Sequence, residues 1–263
     1  MPASSDIYTT PAMRRPEIHS VTSEATDHPI EMAFDWNLDT YWEPTTTGSQ
    51  TITIDLQAAH DIDGLALFIR NYNTDFGAEL VSLAHSSNGS TWTTEADWTL
   101  MTYGAVGSPL KVFPVLTMTA YRYWSITFSG TITQKVQVAA VILYNKSTIS
   151  QGNQDPETDD MEYMADVLAE DGLMTMKHRI NKMPVRRFIR TWRFISDADF
   201  QTLETAIANS LGSGRPLILG EDSAHYMAEV VDDNFDQAKT NAGEYQPTVI
   251  FQTLPYNGDG DGY

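Results

Sequence analysis

AFDWNLDTYWEP, Ala33 to Pro44, crowds aromatic rings, carboxylates and an Asn into one short stretch without a helical or strand period. Three readings fit it. As a structural clasp, Asp35 and Asn37 accept hydrogen bonds from turn amides while Trp42 plugs an apolar core. As a calcium loop, Asp35, Asp39 and Glu43 supply hard oxygen ligands with neighbouring carbonyls, which makes calcium the one cofactor these residues admit. As a catalytic carboxylate pair, it would need a cleft and a fixed separation of the two acids, and neither is legible here.

Outward from this stretch, residues 50–144 read as short alternating segments: QTITIDL, DGLALFIRNY, AELVSLAHS, RYWSITFSG and QVAAVILYN. Thr, Val, Ile and aromatic enrichment between Gly, Asn, Ser and Pro punctuation predicts an antiparallel β-sandwich. Trp92, following Asn88-Gly89, falls just after an expected hairpin turn.

Four pieces in this order, AFDWNLDTYWEP, TITIDLQAAHDIDGLALF, SSNGSTWT and YRYWSITF, resemble the discoidin or coagulation factor 5/8 type C family, a galactose-binding-like jelly roll. The resemblance covers residues 15 to 146. It implies that Ala33, Asp35, Asn37, Thr40 and Trp42 form the family's clasp. It also implies that ligands, often sugars, sit on loops at one end of the jelly roll. The loop RNYNTDFGAE offers Arg70, Tyr72, Asn73 and Phe76, and LMTYGAVGSP offers Tyr103, as candidate carbohydrate-binding residues. Aromatic faces and planar polar groups are what sugar CH and hydroxyl groups require.

After residue 148 the composition changes. NKSTISQGNQDPETDDMEYMADVLAEDG reads as an acidic linker over 149–176 with a short helix at Glu162–Glu170. KHRINKMPVRRFIRTWR, residues 177–193, then holds seven of the chain's 16 cationic residues and alternates as strands do, so a basic hairpin is expected. SDADFQTLETAIANSLGSG is a helix with Ser196 as N-cap, Phe200, Leu203, Ile207 and Leu211 on one face, and Gly212 as its stop. Strands RPLILGE, YMAEVVDD and QPTVIFQTL complete a small α+β unit over 177–256, with 257–263 as a flexible acidic tail. The expected fold is therefore mainly β: a jelly roll plus a smaller α+β unit with one main helix.

Residues 176–254 resemble, in layout only, the distal tail and minor tail-tip proteins of long-tailed bacteriophages. That resemblance implies a virion role: a ring of copies in a tail tip or baseplate with other tail proteins, a host surface glycan as a further partner, and assembly in the host cytoplasm. Arg186, Arg187 and Arg190 are the candidate assembly contacts, meeting the acidic segment of a neighbour or of the same chain.

Composition bounds these readings. The net charge of −19 opposes nucleic acid and anionic membranes as partners, and no run of about 18 apolar residues is present to insert in a bilayer. Cysteine is absent, which removes disulfides, thiolate metal sites and thiol nucleophiles. MPASSDIYTT lacks the basic and apolar segments of a signal peptide. The six histidines show no zinc spacing, no G-x-S-x-G or phosphate-binding Gly pattern appears, and NGDGDGY lacks a calcium loop's closing acid. The expected function is a non-enzymatic tail-tip component carrying a carbohydrate-binding-like module; the alternative is an accessory carbohydrate-binding module of a polysaccharide-degrading system.

Overall fold

The computed structural model describes residues 5–9, 17–71, 79–99, 109–114, 116, 120–130, 134–149, 158–162, 166–170, 173–177, 185–192, 195–211, 216–221, 224–233, 245 and 247–254. Its strands are β1 (Ser5–Thr9), β2 (Glu17–Val21), β3 (Gln50–His60), β4 (Gly64–Ile69), β5 (Glu79–Ser86), β6 (Thr93–Thr99), β7 (Leu110–Val112), β8 (Tyr121–Gly130) and β9 (Val138–Ile149). They continue as β10 (Thr158–Glu162), β11 (Asp166–Glu170), β12 (Leu173–Lys177), β13 (Val185–Thr191), β14 (Leu217–Glu221), β15 (Ala224–Asp233) and β16 (Thr248–Thr253). The helix α1 spans Asp197–Leu211, between β13 and β14. The protein is mainly β, as expected.

One antiparallel sheet has the order β2-β3-β8-β5-β6. Its alternating residues do the packing: Ile52, Ile54 and Leu56 on β3, Val81 and Leu83 on β5, and Trp124, Ile126 and Phe128 on β8 are all buried in one core. The opposite face is polar, with Thr51 and Thr127 hydroxyls 3.0 Å apart across neighbouring strands. A period of two with one apolar face is what a sheet with one covered side requires.

The other main sheet runs β10-β13-β16-β15-β14-β1-β9-β4-β7 and is apolar on both faces at its centre. Strand β4, GLALFI, is buried along its whole length. Leu65, Leu67 and Ile69 face the first core, together with Val141 and Leu143 of β9. Ala66, Phe68, Ala140, Ile142 and Tyr144 face a separate core that also contains Tyr8, Leu110, Ile218 and Met227. Gly64 is required for this packing, because a Cβ there would lie 2.5 Å from the Tyr144 hydroxyl. That hydroxyl is fixed by donating to the Phe113 carbonyl at 2.6 Å.

Strand β1 joins the two halves of the chain. Ser5–Thr9 pairs with β9 on one side, and Asp6–Tyr8 pair with β14 on the other. Ile7 packs beneath α1 with Phe200, Leu203, Ala206 and Ile207, whereas its neighbour Tyr8 faces the other way. The helix starts as expected: the Asp199 amide donates to Ser196 Oγ at 3.1 Å, and Phe200 donates to the Ser196 carbonyl at 2.9 Å. The expected boundary at residue 148 is thus no break in hydrogen bonding, since one sheet runs across it.

Two expectations for the second half are corrected. The described residues of 162–170 are strand rather than helix: β10 ends at Glu162, β11 covers Asp166–Glu170, and β11 pairs with β12 from Glu170 opposite Leu173. Of the basic stretch 177–193, the described residues 185–191 form β13, whose two partners are β10 and β16 rather than another basic strand. Acidic and basic segments are therefore strand partners within one chain, with Asp160 opposite Arg187 and Met161 opposite Arg186.

Candidate functional site

The clasp is built from its short side chains. Asp35 Oδ1 accepts from the Asn37 amide at 2.8 Å and Oδ2 from the Thr40 hydroxyl at 2.7 Å. Asn37 Oδ1 accepts from the Asp39 amide at 3.1 Å. These bonds close a turn in which Trp36 takes φ 61°, a left-handed conformation costing a non-glycine residue roughly 1–2 kcal/mol. The turn delivers Ala33 and Trp42 to the first core, both fully buried, and Trp42 Nε1 donates to the Ser23 carbonyl at 3.2 Å. Trp42 also exchanges backbone hydrogen bonds with Val138 at 2.9 and 3.0 Å, tying the clasp to β9.

Beside that tie lies a half-exposed polar ledge. Arg70 follows the end of β4; its amide donates to the Gln137 carbonyl at 2.9 Å and its Nη1 donates to the Asp39 carbonyl. The guanidinium carbon stands 4.9 Å from the Tyr41 ring centroid, and the same ring stacks on His28 at 4.0 Å. Glu43 accepts from Gln137 Nε2 at 2.9 Å and faces Lys135 Nζ at 3.5 Å. Asn71 donates to the Lys135 carbonyl at 2.8 Å and accepts from the Gln137 amide at 3.0 Å. Guanidinium, carboxylate and two amides are thus held by neighbours on a stacked aromatic support. Such a set offers hydrogen-bond donors and acceptors in planar groups, the means of reading hydroxyls.

The sequence candidates fall differently on this structure. Arg70 is on the ledge, adjoining clasp residues 39 and 41. Tyr72, Asn73, Phe76 and Tyr103 lie outside the described residues. Asp35, Asp39 and Glu43 do not converge as a calcium set: Asp35 is used within the turn, Asp39 lends its carbonyl to Arg70, and Glu43 turns to Lys135 and Gln137. Among the described residues no group of three His, Asp or Glu is placed to hold a metal ion. Arg190 is corrected as an assembly contact, since it is only 1% exposed, on a strand that faces Val249 and Trp192 in the core under α1. Arg186 and Arg187 are placed by register alone, opposite Met161 and Asp160.

Sequence reasoning missed His28, Tyr41, Lys135 and Gln137. They come from segments far apart in the chain that meet only through the bridge between Trp42 and Val138. The available signal was Tyr41, whose position beside the buried Trp42 puts it on the opposite face of an extended segment.

Residues 17–140 match the family model of the F5/8 type C domain. No curated protein matches the chain. Among solved structures, the family 32 carbohydrate-binding module of Clostridium perfringens NanJ, in complex with galactose, is 19% identical, covering 53% of this chain and 100% of its own with a TM-score of 0.44. A module of the same family from a C. perfringens family 31 glycoside hydrolase is 21% identical, covering 50% and 91% with a TM-score of 0.41. The C-terminal domain of a Bacteroides fragilis chitobiase is 15% identical, covering 54% and 99% with a TM-score of 0.42.

Proposed function

We propose that this chain is a non-catalytic carbohydrate-binding protein whose F5/8 type C unit holds a terminal sugar of a glycan on the ledge around Arg70, Glu43 and Gln137. The observation that carries the reading is the ledge itself, where planar donors and an acceptor are fixed by neighbours and half open to solvent. A shallow site of this kind binds weakly, on the order of millimolar per copy. The second half of the chain serves as a docking unit. Of the two contexts expected from sequence, the accessory module of a polysaccharide-degrading system has the domain match behind it. The tail-tip ring rests on the layout of residues 176–254, part of which is redrawn by the pairing of β10, β11 and β13.

The test is a glycan array with a multivalent form of the full chain, followed by titration of Gln137→Ala and Glu43→Gln against any glycan retained. Loss of about tenfold or more in either variant, with the fold intact, is expected. Binding that survives both substitutions moves the site off the ledge, and release of product from a bound glycan ends the non-catalytic reading.

A further inference from the structure

We infer that the second half of the chain positions the ledge, by gripping the clasp through Trp36 and Leu38. This rests on the ledge being the glycan site. The clasp residues divide between two cores. Ala33, Phe34 and Trp42 enter the jelly-roll core. Leu38 is buried in the other core, against which Trp36 and Tyr41 also pack. That core belongs in part to the second half of the chain, because Ile218, Met227 and Leu254 contribute to it. Leu254 is itself held there, its amide donating to the Met227 carbonyl at 3.0 Å.

Arg70 hangs from the clasp between these two anchorages. Its Nη1 meets the Asp39 carbonyl, one residue from Leu38, and its guanidinium stands over Tyr41, which touches the shared core. The left-handed backbone at Trp36 makes the grip consequential. A non-glycine residue keeps φ 61° only when its surroundings hold it there. On one side Asp35 and Asn37 bond the turn; on the other the indole packs against the shared core. A rearrangement around Met227 or Leu254 therefore reaches the acceptor and the ring that fix the guanidinium. The second half acts as a buttress and sets the affinity of a site to which, among the described residues, it contributes no ledge residue. Trp36, Leu38 and Leu254 are positioning residues in this arrangement.

The experiment uses the full chain and four variants: Leu254→Ala, Trp36→Gly, Trp36→Phe, and Val231→Ala as a control on an exposed residue of β15. The Arg70 Nε–Hε signal and the His28 ring signals are followed by NMR without ligand, and galactose is then titrated as the probe. Leu254→Ala and Trp36→Gly are expected to displace both sets of signals and to weaken galactose binding about fivefold, a typical coupling between sites. Trp36→Phe should return the signals toward their parent positions, and Val231→Ala should leave them unmoved. Folded variants whose Arg70 and His28 signals stay in place overturn the inference. If Trp36→Gly does not fold, Leu254→Ala decides the matter, since Leu254 is only partly buried. Displaced signals in a chain that never binds a sugar would sink the glycan reading while leaving the buttress standing.

Discussion

Lys111 is a cation on the wrong side of its strand. It stands opposite Leu67, so its side chain shares the jelly-roll face, and it is 3% exposed with no carboxylate paired to it among the described residues. Burial pushes its pKa below the usual lysine value. The unfolded chain therefore binds more protons between that lowered value and about 10.5, and stability rises with pH across this window. Below it the buried amine is a cost. Lys111→Met, close in volume, is expected to raise stability by about 1 kcal/mol at pH 7, read from urea midpoints, with the gain shrinking as pH approaches the unfolded value. A loss of stability would show that the ammonium is solvated through the strand edge. Trp42 is the opposite case: wholly buried, packed near Phe128 and bonded at its indole nitrogen, it should cost roughly 3–5 kcal/mol when cut to Ala. An unchanged denaturant midpoint would return Trp42 to the surface as a ligand platform.

At the scale of elements, the join at β1 carries its own pH dependence. Asp6 pairs with Lys146 at 2.9 Å and accepts from Thr148 at 2.8 Å, and the Tyr8 hydroxyl lies 3.4 Å from His225 Nε2. Burial, reinforced by the Asp6 charge, pushes Tyr8 up to about 12. Burial pulls His225 down, with Asp6 opposing and Lys146 reinforcing the shift. Because the folded state disfavours the imidazolium, the unfolded chain takes up the proton first. Stability is then lost as pH falls from about 6.5 through the lowered His225 value. His225→Gln should flatten that loss, measured as the difference in urea midpoints between pH 7.5 and pH 5; an equal loss in variant and parent would place the acid sensitivity elsewhere. This join also marks how far sequence reading reaches. Strands β3, β5 and β8 of the five-stranded sheet were legible because residues such as Ile52, Ile54, Trp124 and Ile126 alternate with polar neighbours, whereas β2 and β6 were not read as strands. GLALFI and VAAVILY announce burial on both faces, yet the residues that cover them lie far along the chain at Ile218 and Met227. The acidic segment was misread because its carboxylates carry no period, and its strand character comes from pairing, of β10 with β13 and of β11 with β12. Of the ledge, Arg70 was legible as the end of a strand, whereas Tyr41, Lys135 and Gln137 gather only through tertiary pairing.

For the whole molecule, three cores and a shared sheet bear on whether the halves fold alone. The sequence divides at residue 148, but a chain cut there would leave Ala66, Phe68, Ala140, Ile142 and Tyr144 without Ile218, Met227 and Leu254 across from them. It would also open β1 along the edge now paired with β14, and an unpaired apolar edge invites association. The other piece would lose Ile7 from beneath α1. Calorimetry of the full chain is therefore expected to show one cooperative transition, and fragment 1–148 should be less stable than the intact chain, with a marked tendency to self-associate. Fragment 149–263 should recover helix signal when a peptide spanning residues 1–10 is added, because Ile7 completes the core under α1. Two separate transitions, with fragment 1–148 melting where the full chain does, would mean that the continuous sheet transmits no cooperativity and that the halves are independent domains after all.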